Sequence, residues 1–98
     1  MAKAIKILQT AKFQRAAKRL NQNQKADLDK AVKAIAADPS IGDKKKGAIS
    51  HLQVHKFKMV SQLTLLAYYF NDGELVLELV SFGSHENFYK KLERQVKH

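Results

Sequence analysis

The chain has 98 residues, with 18 Lys and Arg against 9 Asp and Glu, and a formal net charge of +9. A chain of this length buries too little surface to divide its core, so we assign residues 1–98 to a single domain. The absence of cysteine excludes disulfides, thiolate catalysis and cysteine-ligated zinc. The charge predicts attraction to polyanions or to an acidic protein, or else simply a solvated basic surface. Because there is neither a long apolar segment nor a secretory signal, we expect a cytoplasmic protein with no membrane contact.

The first half of the sequence is predicted to be helical. Residues 5–8 form a short strand, and Thr10 is placed to cap a helix with an apolar face of Phe13, Ala16, Ala17 and Leu20. After a polar break at residues 21–23, a second helix must end by Asp38, because Pro39 disfavours helical geometry in the residue before it. These two helices predict an N-terminal helical hairpin. The following segment, DPSIGDKKKGAIS, is expected to be a surface loop.

The second half is predicted to be a small antiparallel sheet. Alternation in LQVHKFKM places His55, Phe57 and Met59 on one strand face and Lys56 and Lys58 on the other. The strands LTLLAYYF and ELVLELVSF flank NDG, a hairpin turn whose residues tolerate positive φ. Residues 52–82 therefore predict a three-stranded meander, which the N-terminal strand extends to about four strands. The predicted fold class is α+β, with the helical hairpin packed on this sheet.

The segment after the last strand is predicted to be a short C-terminal helix. Ser84 is placed to cap it, and an apolar residue recurs every four positions from Phe88. His85 and Tyr89 then share one face of that helix, to the side of its core stripe. If the preceding strand belongs to the same sheet as HKFK, these side chains lie across from Lys56 and Lys58. The sequence thus predicts a basic patch that holds one imidazole and one phenol.

Such a group of side chains suits cleavage of an RNA phosphodiester. The reaction needs a base for the proton of the 2′-hydroxyl, an acid for the departing 5′-oxygen, and cations for the charge on phosphorus. His85, with an ordinary pKa near ~6.5, is the candidate acid or base. Lys56 and Lys58, about 7 Å apart on a strand, are the candidate cations, and Tyr89 is placed to stack on a base or orient a proton. The simpler interpretation is that all four are solvated surface residues.

Metal and cofactor chemistry finds little support in the sequence. His51 and His55 are four residues apart, but on a strand that spacing spans about 13 Å, too far for both rings to bind one ion. The sequence also lacks a GxxxxGK phosphate loop, a GxSxG turn and a pair of carboxylates at a strand end. We therefore expect neither a bound metal nor a cofactor.

Residues 5–93 resemble the RelE/ParE superfamily of toxins from type II toxin–antitoxin systems. The resemblance lies in the helical hairpin, a loop ending in Gly, the HKFKM strand, two further long strands and SFGSHENFY. In the ribosome-dependent ribonuclease branch, the K-apolar-K pattern supplies catalytic or RNA-contacting lysines, which implies these roles for Lys56 and Lys58. The G-S-H run followed by an aromatic is similar to the YafQ and HigB type of motif. That likeness implies that His85 is catalytic, with Phe88 or Tyr89 as the aromatic.

The resemblance also implies partners. Toxins of this superfamily are neutralised by a cognate antitoxin, and a charge of +9 suits an acidic antitoxin segment, which we expect between the helical hairpin and the sheet. For the ribonuclease branch the targets are the ribosome and its mRNA, with His55 and Phe88 as further candidate RNA contacts. The run Lys44, Lys45 and Lys46 either contacts RNA or is a soluble loop, and the sequence leaves both open.

One position departs from the pattern and keeps a second branch open. RelE carries an arginine near the start of the strand that resembles LTLLAY, where this chain has Gln62 and Thr64. An enzyme would then need His55 or the two lysines to supply the charge. The ParE branch inhibits DNA gyrase and needs no acid–base residues. The sequence therefore predicts an endoribonuclease that cuts mRNA in the ribosomal A site, with two alternatives: a gyrase inhibitor, or an RNA- or ribosome-binding module with neither activity.

Overall fold

The computed structural model describes residues 5–84, with only the backbone at Ala48, and Phe88. The chain forms, in order, β1 (Lys6–Gln9), α1 (Ala11–Lys18), α2 (Gln22–Ala37), β2 (Asp43–Lys44), β3 (Gln53–Met59), β4 (Gln62–Asn71) and β5 (Val76–Ser84), with 3₁₀ turns at Pro39–Ile41 and Gly47–Ile49. The predicted α+β class and helical hairpin are confirmed. The predicted C-terminal helix lies outside the described residues, apart from Phe88.

Side-chain caps set the helix boundaries. Thr10 caps α1 by accepting a 3.1 Å hydrogen bond from the Phe13 N–H, and its hydroxyl donates to the Val80 carbonyl at 2.7 Å. Asn21 and Gln24 form a capping box at the start of α2, so this helix begins inside the predicted polar break. The helix ends at Ala37, as expected from the proline two residues later. The Thr10 bond to β5 also ties the hairpin to the sheet.

Within the described residues the sheet has five strands, in the order β1-β5-β4-β3-β2. The antiparallel meander of β3, β4 and β5 is confirmed, but β1 joins it parallel to β5, so the prediction of an antiparallel sheet is wrong for this strand. The prediction of about four strands missed β2, which lies in the predicted surface loop and pairs Asp43 with Val54 and Lys44 with Gln53. A strand of two residues is too short to produce a detectable alternation of apolar and polar side chains.

The two hairpin turns use unexpected residues. The predicted hairpin turn at NDG is present between β4 and β5, and the positive φ in this turn, 54°, is that of Leu75. The Asn71 side chain accepts a hydrogen bond from the Glu74 N–H at 3.1 Å. Between β3 and β4, Val60 and Ser61 have φ values of 48° and 69°. The Val60 N–H donates to the Asp27 carboxylate at 2.7 Å, so α2 holds this turn in place.

The sheet has an apolar cluster on each face. On the face covered by α1 and α2, hereafter the helix face, the buried cluster consists of Phe13, Leu28, Ala31, Ile35, Met59, Leu66, Tyr68, Leu77 and Leu79. On the opposite face, hereafter the lysine face, it consists of Ile49, Leu52, Val54, Leu65, Ala67, Val80 and Phe88. In the described part of the chain, neither helix has the length and apolar content to cross a bilayer.

A buried tyrosine fixes the loop that leads into β2. The Tyr68 hydroxyl accepts a hydrogen bond from the Gly42 N–H at 2.9 Å and donates to the Pro39 carbonyl at 2.5 Å. The Gln53 amide donates to the Pro39 and Gly42 carbonyls at 3.1 and 3.0 Å. Burial raises the pKa of Tyr68, against the opposing effect of the Gly42 hydrogen bond. The phenol therefore stays protonated and keeps both bonds at neutral pH.

Candidate active site

Two exposed lysines project from β3 on the lysine face. Lys56 lies opposite Leu65, and Lys58 lies opposite Leu63, both in the neighbouring strand β4. Residues two apart on a strand point to the same side and are separated by about 7 Å. Both ammonium groups are thus carried on one strand, on the face opposite α1 and α2.

The chain after β5 returns to the same face at Phe88. Its side chain is 5% exposed and belongs to the lysine-face cluster. A Cβ atom added to Gly83 would lie 3.7 Å from Cδ1 of the Phe88 ring, so the ring lies over that glycine. Gly83, Leu65 and Lys56 are directly opposite one another across β5, β4 and β3. At the usual strand spacing, the Lys56 and Gly83 backbones are about 10 Å apart.

His85 and Tyr89, the predicted catalytic imidazole and phenol, lie outside the described residues. His85 is bonded to Ser84, the last residue of β5, which is exposed and pairs with Thr64. Of the two aromatics predicted near the RNA, Phe88 is described, and its ring is packed against apolar side chains.

The start of β4 carries no cation on either face. Gln62 and Thr64 lie opposite Met59 and Phe57, which places them on the helix face rather than beside the lysines. Thr64 is 5% exposed, and its hydroxyl donates to the Gln62 carbonyl at 3.1 Å. Leu63 occupies the corresponding position on the lysine face and is 43% exposed. Sequence reasoning overlooked Leu63, although the alternation of side chains along β4 identifies it.

His55 lies on the side of β3 opposite the two lysines. Its ring is parallel to that of Phe57, with 6.1 Å between ring centroids and 7° between planes. Partial burial lowers the pKa of His55, because desolvation disfavours the charged imidazolium. The structure therefore does not bring this side chain to the lysine pair.

Lys44 is the last residue of β2, and Lys45 and Lys46 follow it in the chain. Lys44 pairs with Gln53 and lines a cleft of about 480 Å³ on the helix face. Lys45 is partly buried, and Lys46 is exposed at the start of the second 3₁₀ turn. The three lysines therefore lie at or just after the edge strand β2, which is next to β3 in the sheet.

The histidines expected to be too far apart for a metal have different aromatic neighbours. His51 lies 6.4 Å from Tyr69 between ring centroids, whereas His55 stacks on Phe57. Among residues 5–84 and Phe88, no group of three His, Cys, Asp or Glu side chains is arranged to hold a metal ion.

Comparison with known proteins places this architecture in a family. A family model described as the ParE-like toxin of type II bacterial toxin–antitoxin systems matches residues 7–93. No curated protein sequence gives a significant match.

Solved structures of RelE toxins share the fold at low sequence identity. A double mutant of E. coli toxin RelE in the free state has a TM-score of 0.70 and 21% identity, over 93% of this chain and 94% of that one. The intact E. coli RelBE toxin–antitoxin complex has a TM-score of 0.68 and 20% identity, over 85% of this chain and 99% of that one. The archaeal RelE–RelB complex from Pyrococcus horikoshii OT3 has a TM-score of 0.60 and 10% identity, over 86% of this chain and 98% of that one. With the family match covering nearly the whole chain, this protein belongs to the ParE-like toxins of type II bacterial toxin–antitoxin systems.

Proposed function

We propose that this toxin is an endoribonuclease that cleaves mRNA on the ribosome in the cytoplasm. In this proposal His85 is the general acid or base, Lys56 and Lys58 stabilise the charge at phosphorus, and Tyr89 positions a base. Phe88, whose ring is buried, supports the site from the apolar cluster and does not stack on RNA.

The observation that carries the proposal is that Phe88 and the two lysines occupy one face of the sheet. Lys56 and Lys58 are exposed there, and Phe88 packs into the same face beside Gly83. His85 precedes Phe88 by three residues in the chain. Three residues span at most about 11 Å, and in this proposal the His85 imidazole acts at the lysine face.

The chemistry requires a base, an acid and cations, and in this proposal His85 transfers protons while the two lysines stabilise charge. The 2′-oxygen attacks phosphorus while a base takes its proton, and the bond to the 5′-oxygen breaks while an acid protonates that oxygen. An imidazole titrates near neutral pH and suits either transfer. The lysine ammonium groups attract the phosphate and stabilise the charge that grows on its oxygens in the transition state.

We further propose that a cognate antitoxin with an acidic segment neutralises the toxin. Support comes from the RelB complexes among the similar structures and from the net charge of +9. An open cavity of about 450 Å³ lies between α1, α2 and β1, and its rim carries Lys18 and Lys25 together with Asp29. This is the groove in which we expect the acidic segment, since the lysines favour carboxylates and the floor includes the apolar side chain of Leu28.

Inhibition of DNA gyrase is the second candidate. The matching family is described as ParE-like, and the lysine face of β4 presents Leu63 where a nuclease would benefit from a cation. A gyrase inhibitor needs a binding surface and no proton transfer, so it does not depend on His85.

Mapping of transcript 5′ ends shortly after induction tests the proposal. A ribosome-dependent nuclease produces new ends at fixed positions within codons, and only in translated messages. A gyrase inhibitor leaves messages uncut and blocks supercoiling by purified gyrase. Uncut messages together with inhibited gyrase would refute the nuclease and establish the second candidate.

A further inference from the structure

Among residues 5–84, the outer edge of β3 lacks a partner strand over most of its length. Within the described part of the chain, β2 pairs only with Gln53 and Val54, so β3 has no partner strand on that side from His55 to Met59. An open strand edge is accessible to a ligand from both faces of the sheet at once. This stretch, His55–Met59, is hereafter the open edge.

Two aromatic rings lie along the helix-face side of the open edge. The planes of His55 and Phe57 are 7° from parallel, and their centroids are 6.1 Å apart, within the range of stacked rings. Both side chains are partly exposed. Phe57 also packs against the helix-face cluster. The lowered pKa of His55 keeps its imidazole neutral at pH 7, so the ring is more easily desolvated than an imidazolium.

The lysine-face side of the open edge carries two cations. Lys56 and Lys58 alternate with the rings along the strand and are exposed on the lysine face. A ligand that follows the open edge therefore meets flat rings on one side and positive charges on the other. A nucleotide has this combination of groups, because its sugar connects a planar base to an anionic phosphate.

We propose that single-stranded RNA runs along the open edge, with one base stacked on the His55–Phe57 pair and neighbouring phosphates bound by Lys56 and Lys58. The inference rests on the proposed function for its ligand class. It adds a base-binding position beside the phosphates that Lys56 and Lys58 bind. An extended protein segment pairing with the edge is the competing occupant; the two lysines and the ring pair favour RNA, because main-chain pairing requires neither.

Fluorescence anisotropy with two probes separates stacking from charge. The probes are a short labelled single-stranded RNA of mixed sequence and a strand of equal length without bases. His55→Ala is expected to weaken binding of the complete RNA by about 5-fold or more, the range for one stacked base, without changing binding of the base-free strand. Phe57→Leu, which keeps an apolar group in the cluster, is expected to act in the same direction.

Matched variants complete the design. His51→Ala removes an exposed imidazole that lies outside the open edge. This variant is expected to bind the complete RNA and the base-free strand with wild-type affinity. Lys56→Gln is expected to weaken binding of both probes. The slope of log affinity against log salt concentration is expected to decrease in magnitude by about 0.7, as for one lost phosphate contact to a single strand. As a direct readout, the His55 Hε1 resonance is expected to shift on addition of complete RNA and to stay in place with the base-free strand.

Equal losses for both probes in His55→Ala, or wild-type affinity in both ring variants, would overturn the inference. So would an extended acidic peptide that shifts the amide resonances of residues 55–59 when the RNA does not. The measurement needs no cleavage, so its outcome is independent of the mapping of transcript ends. Base-dependent binding without cleavage would refute the nuclease alone, and cleavage without base-dependent binding would refute the open-edge site alone.

Discussion

Lys58 and Leu63 lie directly opposite each other on β3 and β4, on the lysine face of the sheet. Leu63 is 43% exposed, so a longer side chain has room to extend over the same surface. The cationic surface therefore ends at the apolar side chain of Leu63, and a basic residue at this position would extend it onto β4.

Leu63→Arg is expected to strengthen RNA binding by about 2- to 5-fold, the range for one exposed ion pair, and to increase the salt dependence. If charge at phosphorus limits the reaction, cleavage of ribosome-bound mRNA rises as well. Gln62→Arg is the control, because it adds the same charge on the other face. Equal effects of the two variants would show that net charge, and not position, is responsible.

His85→Ala is expected to abolish mRNA cleavage and growth arrest, since general acid–base catalysis contributes about 10²- to 10⁴-fold. Urea denaturation should give the wild-type midpoint, which separates lost chemistry from lost folding. His51→Ala provides a matched removal of an imidazole. Full toxicity of His85→Ala would reject the catalytic assignment and favour a target that is bound and not cleaved.

Gly42→Ala is expected to destabilise the fold by about 1–3 kcal/mol, because the new Cβ would lie 2.5 Å from the Tyr68 hydroxyl oxygen. Gly73→Ala is the control, as its Cβ would meet only the Asn71 side chain, at an ordinary 3.5 Å. Chemical denaturation of both variants measures the difference. Equal stabilities would mean that the loop moves away from Tyr68 without cost.

Val60→Asn is expected to stabilise the protein by about 1 kcal/mol. Val60 has a φ of 48°, a left-handed conformation that costs a β-branched residue roughly 1–2 kcal/mol and that asparagine tolerates. The backbone hydrogen bond to Asp27 is retained. Val60→Ala is expected to recover less, since alanine keeps most of the penalty. A lower denaturation midpoint for Val60→Asn would contradict this account.

Folding stability is expected to depend on pH through His55. Its pKa is lower in the folded protein than in the unfolded chain, so the unfolded chain binds more protons between the two values. The contribution of His55 to the free energy of unfolding is therefore fully present above its ordinary pKa of about 6.5. This contribution decreases as the pH falls toward the pKa of His55 in the folded protein. His55→Gln is expected to show a smaller decrease over that range. Parallel pH profiles for the two proteins would exclude this contribution.

Local signals predicted most of the architecture correctly. Thr10 and Pro39 mark a helix start and a helix end through hydrogen bonding and backbone sterics, which act within a few residues. The alternation in β3 assigned His55 and the two lysines to opposite faces. The missed features depend on distant partners: β2 exists because residues 43 and 44 meet β3.

The candidate site was harder to predict for the same reason. Phe88 was expected near RNA, yet its ring packs with residues from β3, β4 and β5 that adjacency in sequence does not reveal. The positive φ of Leu75 is likewise imposed by the strands that the turn joins. Asn, Asp and Gly in the same turn tolerate that conformation, but tolerance does not determine which residue adopts it.

The parallel pairing of β1 with β5 constrains the order in which the molecule can be assembled during translation. Lys6–Gln9 find their partners only at Val76–Leu79, and the Thr10 hydroxyl bonds to a carbonyl 70 residues later. Contacts between such distant positions form late and make folding slow. A nascent chain that ends before residue 76 carries both lysines without the completed sheet behind them. The sheet can therefore be completed only after the ribosome has synthesised Val76–Leu79, and β4, the neighbour of the strand that carries both lysines, lacks its other partner β5 until then.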